Sequence, residues 1–227
     1  MDAKVRERKG MVRYLTVGLL TLLISASPAV PAFGGQFDDG IAAYERGDYG
    51  TAFRLMKPLA EQGDAKAQHN LGVMYDYGRG TPQDNTKAVK WYRRAAEQGI
   101  PEAQHNLGLI YENGQGVPRN DTEAVKWYRR AAEQGIPEAQ VNLGVKYYKG
   151  QGVPQDYILA HMWLNLAAAR YPASAKKNLN DAVHYKDMVD SLMTPAQIAE
   201  AERLAREWKP KKERIRGGNV TPRTPRP

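Results

Sequence analysis

The chain has 227 residues, no cysteine and a formal net charge of +8, with 42% hydrophobic and 26% charged residues. That composition excludes a wholly disordered chain, and the missing cysteines exclude a disulfide framework, a thiolate zinc site, a lipid-modified cysteine and a cysteine nucleophile. Residues 1–32 hold a net +3 and residues 209–227 a net +6, which leaves the body between them at about −1. A body near neutrality excludes a fold built to track a phosphate backbone, so no nucleic-acid partner is expected.

The basic start is followed by an apolar run of 13 residues, 14–26, and then by SPAVPAFGG. This is the order of a secretory signal peptide, 1–32, with cleavage expected after Ala32. The run falls short of the ~20 residues a membrane-crossing helix needs. An uncleaved anchor is the competing reading, and Met11 is an alternative start. The mature protein is expected to be periplasmic or secreted.

Residues 33–59 read as a short helical hairpin with a tight Arg46-Gly47-Asp48-Tyr49 turn, expected to cap the array that begins at residue 60. There the sequence starts to repeat. Residues 60–95, 96–131 and 132–167 align without gaps at a period of 36, with 23 identities between the first two and 21 between the second two. The first half of each unit places Ala103, Leu107 and Tyr111 on one helical face, with Gly108 as a notch for close helix approach. A Gly-x-Gly-x-Pro stretch (Gly114, Gly116, Pro118) breaks that helix. Asp84, Asn120 and Asp156 stand three residues before the next periodic run, as helix N-caps or loop-closing residues. The second half puts Ala124, Trp127 and Ala131 on one stripe, with Tyr128 and Ala132 beside it. Gly135 ends that helix and Pro137 starts the next. Trp91, Trp127 and Trp163 are expected to pack in the core against columns of Ala and Gly.

The array runs over 60–171, and residues 172–208 form C-terminal capping helices. One spans 175–193 through Leu179, Val183, Val189 and Leu192, with Ser174 as its N-cap. The other spans 195–208, capped by Thr194 and burying Ile198, Leu204 and Trp208. The remainder, 209–227, has almost no apolar residues and is expected to be disordered. Neither helix of a hairpin buries its stripe alone, so the fold class is all-α: a right-handed α-solenoid of stacked helix–loop–helix repeats with N- and C-terminal helical caps.

Ala-x-x-Leu-Gly-x-x-Tyr in the first helix resembles the tetratricopeptide repeat. The 36-residue period, the Gly-x-Gly-x-Pro-x-Asp loop and Ala-x-x-Trp-Tyr-x-x-Ala-Ala-x-x-Gly resemble the Sel-one-like repeat subclass. The carrying stretches are AQHNLGVMYDYGRGTPQD, AQHNLGLIYENGQGVPRN and AQVNLGVKYYKGQGVPQD. The third unit departs from the pattern at Leu164, where the others have Tyr92 and Tyr128, and at Val141, where they have His69 and His105. The resemblance implies an adaptor that holds protein partners, and no single reaction.

Histidines His69 and His105 face the same way on adjacent units but lack the further ligands of a metal tetrad, so no metal or other cofactor is expected. His161 and His184 read as surface or cap contacts. Ser174-x-x-Lys177 has the form S-x-x-K of penicillin-recognising enzymes without their S-D-N and K-T-G companions. A cell-wall or β-lactam-directed enzyme is the alternative that pair leaves open. The main expectation is a binding module and not an enzyme.

If first helices line the concave groove, its columns are Lys66/Glu102/Glu138, His69/His105/Val141, Val73/Leu109/Val145 and Asp76/Glu112/Tyr148. Asn70, Asn106 and Asn142 run beside them as a ladder of amides. An extended peptide advances ~3.3 Å per residue, so each unit would serve about three residues. The competing reading makes each Asn a recurring packing hydrogen bond. A basic tail tethering the protein to an anionic envelope surface is a further alternative.

Overall fold

The computed structural model describes residues 33–172 and 174–211. The expected signal segment and the tail beyond Lys211 lie outside these residues. All regular structure among the described residues is helical: α1 (Phe33–Glu45), α2 (Tyr49–Glu61), α3 (Ala65–Tyr77), α4 (Asn85–Glu97), α5 (Pro101–Asn113), α6 (Asp121–Glu133), α7 (Pro137–Lys149), α8 (Tyr157–Ala168), α9 (Lys176–Asp190) and α10 (Pro195–Glu207). None of these helices is long and apolar enough to cross a membrane.

Successive helices pack on one another from α1 to α9, and α10 returns to lie on α8. The helices start and stop where local chemistry dictates. Asp84, Asn120 and Asp156 each accept the N–H of the residue three positions on, which satisfies an orphan donor of the first turn. Asp48 and Asp64 do the same for α2 and α3. Thr194 and Gln197 form a reciprocal capping box ahead of Pro195.

Inside each hairpin the glycine notch is filled by the hairpin's own second helix. A Cβ on Gly72 would stand 2.7 Å from the Tyr92 ring, and one on Gly108 would stand 2.4 Å from Tyr128. Met56 and Leu164 fill the same place against Gly40 and Gly144. Tyr92 and Tyr128 are wholly buried, as are Ala124, Ala131 and Ala132. Trp127 and Trp163 are buried, in line with core packing, while Trp91 is half-buried.

Hydrogen bonds tie one hairpin to the next. Gln98 Nε2 donates to the Gly63 carbonyl at 3.1 Å and to Gln68 Oε1 at 2.7 Å, while Gln68 Nε2 donates to the Ala60 carbonyl. Gln134, Gln104 and Ala96 repeat this one unit later. The ladder ends at Gln140, whose Oε1 is buried without a partner among the described residues; Arg170 stands where the next glutamine would be. Arg93–Tyr111 and Arg129–Tyr147 contacts add a second seam.

The C-terminal cap departs from the sequence expectation in its details. Ser174 is exposed and does not cap α9; Ala175 holds that position without a side-chain hydrogen bond. The buried residues of α9 are Ala182 and Val189, whereas Val183 and Leu192 are 37% and 50% exposed. This rotation brings Asp190 against the buried His161 of α8, at 3.0 Å, with Lys186 on the other carboxylate oxygen at 2.7 Å. His161 is therefore an interior cap contact, while His184 is exposed beside Tyr185. In α10 the fully buried residue is Ala201; Ile198, Leu204 and Trp208 are half-buried. Trp208 meets Trp163 edge-on at 6.1 Å under the Arg170 guanidinium. Residues 209–211, expected in the disordered tail, return to α6: Lys211 N–H donates to the Glu133 carbonyl at 2.8 Å and its ammonium pairs with the Glu133 carboxylate.

Candidate functional site

The first helices α3, α5 and α7 present a groove with a hollow at each of two successive hairpin junctions. The first hollow, about 390 Å³, is lined by Phe37, Lys66, His69, Asn70, Pro101 and Glu102, with Ile100 behind them. The second, about 280 Å³, is lined by His105, Leu109, Glu138, Val141 and Asn142 on the array, by Tyr171 at the array's end, and by Lys177 and Asp181 from the cap. The two are the same site one period apart: a histidine from one unit and a glutamate from the next. Helix α9 closes one end of the groove, and Phe37 of α1, which occupies the histidine column, bounds the other.

The structure divides the expected site residues. Lys66, His69, Asn70, Glu102, His105, Leu109, Glu138, Val141 and Asn142 line the hollows. Val73 and Leu109 also pack on the core, half-buried. The asparagine ladder does double duty. Asn106 Nδ2 lies 3.4 Å from His69 Nε2, and Asn142 Nδ2 lies 3.2 Å from His105 Nε2. An amide nitrogen only donates, so each Nε2 accepts and each imidazole carries its proton on Nδ1. Asn70 bonds the Lys66 carbonyl of its own helix. Asp76 and Glu112 turn inward instead, accepting from Tyr92 at 3.3 Å and Tyr128 at 2.5 Å. Glu112 also pairs with the buried Lys146 at 2.8 Å.

Electrostatics follow from this burial. Desolvation lowers the affinity of His69 and His105 for a second proton, opposed by Glu102 and Glu138 respectively. Burial pushes the Tyr92 and Tyr128 hydroxyls well above their ordinary range, and it raises Asp76 despite the bond from Tyr92. A histidine held neutral in the fold binds fewer protons than in the unfolded chain. Stability therefore falls as pH drops through about 6.5 and below, until the folded state also protonates. His69→Phe/His105→Phe, which copies Phe37, is expected to flatten this dependence between about pH 7 and 5 and to leave the share of His161. Chemical denaturation across that window checks it; an unchanged slope contradicts it.

The sequence reading passed over the Gln68/Gln98 ladder, Phe37 and Lys146. The glutamines carried a signal, since a polar residue recurring every 36 positions inside an alanine-rich stretch has a structural partner. Among the described residues, no three of His, Asp and Glu stand together as a metal site. Ser174 is exposed in the turn before α9, and Lys177 lines the second hollow.

Comparison with known proteins bears on the same geometry. A family model of the Sel1 repeat matches residues 35–64, 65–100, 101–136 and 137–171. The chain belongs to the Sel1 repeat family. The four matched units of this Sel1 repeat protein are the hairpins α1–α2 to α7–α8, so the hairpin read as a cap from sequence matches as a repeat. A crystal structure of a protective antigen of uropathogenic Escherichia coli strains, displaying an SLR fold, superposes with a TM-score of 0.67 at 35% identity. The match covers 78% of this chain and 37% of that one. A Sel1 repeat protein from Oxalobacter formigenes gives a TM-score of 0.50 at 44% identity, over 56% of this chain and 95% of that one. Among curated proteins, DAP3-binding cell death enhancer 1 of Rattus norvegicus is 44% identical over 50 residues, 22% of this chain. The chain spans about a tenth of that relative.

Proposed function

We propose that this Sel1 repeat protein is an exported scaffold that binds a protein or extended peptide along the groove of α3, α5 and α7. The observation that carries the reading is the repetition of one hollow at two successive junctions. Each offers an Nδ1–H donor on a half-buried neutral imidazole and a carboxylate beside it. Regularly spaced, main-chain-compatible donors suit a polymer that advances a few residues per unit, more than a compact small molecule. A relative named for binding another protein agrees with this use of the repeat. Export rests on the basic, apolar and small-residue order of residues 1–32.

Asn70→Trp fills the first hollow and Glu102→Lys reverses its charge. Each is expected to lose most of the partner recovered by the natural chain from an envelope extract, without loss of helix content. Equal recovery by the folded variants removes the groove from the function. N-terminal sequencing of the protein from its native cell is expected to begin at Phe33; an intact residue 1 or 11 contradicts cleavage.

A further inference from the structure

We propose that the groove has a resident competitor: residues 221–227 of this same chain lie in it, with Arg223 against Glu138 and Arg226 against Glu102. The inference rests on the reading of the groove as a peptide site. Four observations lead to it.

The first is period. Residues 221–227 read Thr-Pro-Arg-Thr-Pro-Arg-Pro. Pro222 and Pro225 stand three apart, as do Arg223 and Arg226, and Pro227 follows. Such a proline-rich segment favours polyproline II, in which three residues make one turn at about 3.1 Å each, a conformation that would put the two arginines on one face about 9 Å apart. Glu102 and Glu138 hold equivalent positions in the first turns of α5 and α7, whose side chains meet across the groove where Asn142 Nδ2 lies 3.2 Å from His105 Nε2.

The second is charge. Glu102 acts through space on His69 and Glu138 on His105, and neither carboxylate forms an ion pair among the described residues. Lys66 and Lys177 stand in the same hollows, one in each. Acids separated by lysines favour a ligand whose cations are spaced over one whose cations are clustered.

The third is hydrogen bonding. The groove histidines offer Nδ1–H donors, and a segment with three prolines in seven residues is rich in carbonyl acceptors and poor in N–H.

The fourth is reach. The described chain ends at Lys211, tied to Glu133 at the end of α6, while Glu138 stands in the first turn of α7. The twelve steps from Lys211 to Arg223 span up to about 40 Å when extended. Gly217 and Gly218 allow the path to turn. A tether of this length holds the arginines at about millimolar effective concentration, so weak contacts suffice to occupy the groove and an external partner must compete with them.

The absence of native cysteine makes the test direct. A spin label on Thr224→Cys of the full chain is expected to broaden the imidazole signals of His69 and His105. His161, buried between α8 and α9, serves as the reference. Arg223→Glu/Arg226→Glu is expected to abolish the broadening, and adding Glu102→Arg/Glu138→Arg to restore it, with thermal melts confirming the fold of each variant. Unchanged His69 and His105 signals overturn the proposal. So does broadening that arises when labelled chains are mixed with isotope-enriched unlabelled ones, because the occupant is then a second copy. If the label leaves the groove untouched while Asn70→Trp still loses the partner, the competitor falls and the groove reading stands. If the label broadens both histidines while Asn70→Trp captures the partner normally, the reverse holds.

Discussion

Gly80→Ala is expected to uncouple the first hairpin from the rest of the array, turning one unfolding transition into two. Gly80 has φ +72, and a Cβ there would stand 2.1 Å from the Tyr49 carbonyl oxygen and 2.6 Å from its carbonyl carbon. Tyr49 is the first residue of α2, so the loop after α3 presses its backbone on the helix start of the preceding hairpin. Gly116 and Gly152 press on Asn85 and Asp121 in the same way. The obstacle is backbone, which cannot rotate aside as Tyr92 can. An L-residue in the left-handed region costs about 1–2 kcal/mol, and overpacking adds about 1–3. The sum is a large part of the ~5–15 kcal/mol that holds a domain folded. Because repeat arrays are stabilised by nearest-neighbour interfaces, the loss falls on one junction. Gly47→Ala is the control: φ is +80, and no atom of the described residues lies within 4 Å of its Cβ position. Calorimetry is expected to show a modest shift for Gly47→Ala and a separate low-temperature step for Gly80→Ala. Matching profiles for the two variants contradict the argument.

What was legible in the sequence was what a helix reads locally. Asp84, Asn120 and Asp156 cap because a carboxylate or amide three residues before a periodic run meets free N–H groups, whatever else the fold does. The Ala/Leu/Tyr and Ala/Trp/Ala stripes point inward for the same reason. The groove columns were legible as columns, since a period of 36 stacks them. Their partners were not. Asn106 meets His69, 37 residues away, and Gln98 meets Gln68, 30 residues away; these pairings depend on how hairpins superpose. The repeat compounds the ambiguity, because a ladder of asparagines looks alike whether it serves a peptide or a neighbouring helix. Here Asn106 and Asn142 serve the helix and thereby fix the histidine tautomers that face the groove. At the cap, Ala182 and Val189 are buried in place of Val183 and Leu192, and the same turn of α9 brings Asp190 to His161 on α8. That choice cannot be made from the hydrophobicity of α9 alone.

Removing the two carboxylates around Lys146, as Glu112→Gln/Asp121→Asn, is expected to cost about 3–5 kcal/mol at neutral pH, whereas Lys146→Met costs less than about 1. The asymmetry comes from burial. The Lys146 side chain is 2% exposed, while Glu112 and Asp121 are 32% and 26% exposed. Its ammonium lies 2.8 Å from Glu112 and 2.7 Å from Asp121. Neutralising both acids strands a cation out of reach of water; removing the cation leaves two carboxylates that water reaches, one still bonded to Tyr128. The site accepts a hydrophobe, since the same column holds Met74 and Ile110, both buried. The pair also sets an acid dependence. The bond from Lys146 is the main cause that holds Asp121 below the ordinary carboxylate range. Its contribution is present above about pH 3.9 and is lost as pH falls through the lower folded value. Lys146→Met is therefore expected to lose less stability on acidification below about pH 4 than the natural chain. Urea titrations at neutral and acid pH read both effects. A Lys146→Met chain as unstable as the double carboxylate variant would show that the ammonium, and not its desolvation, holds this junction together.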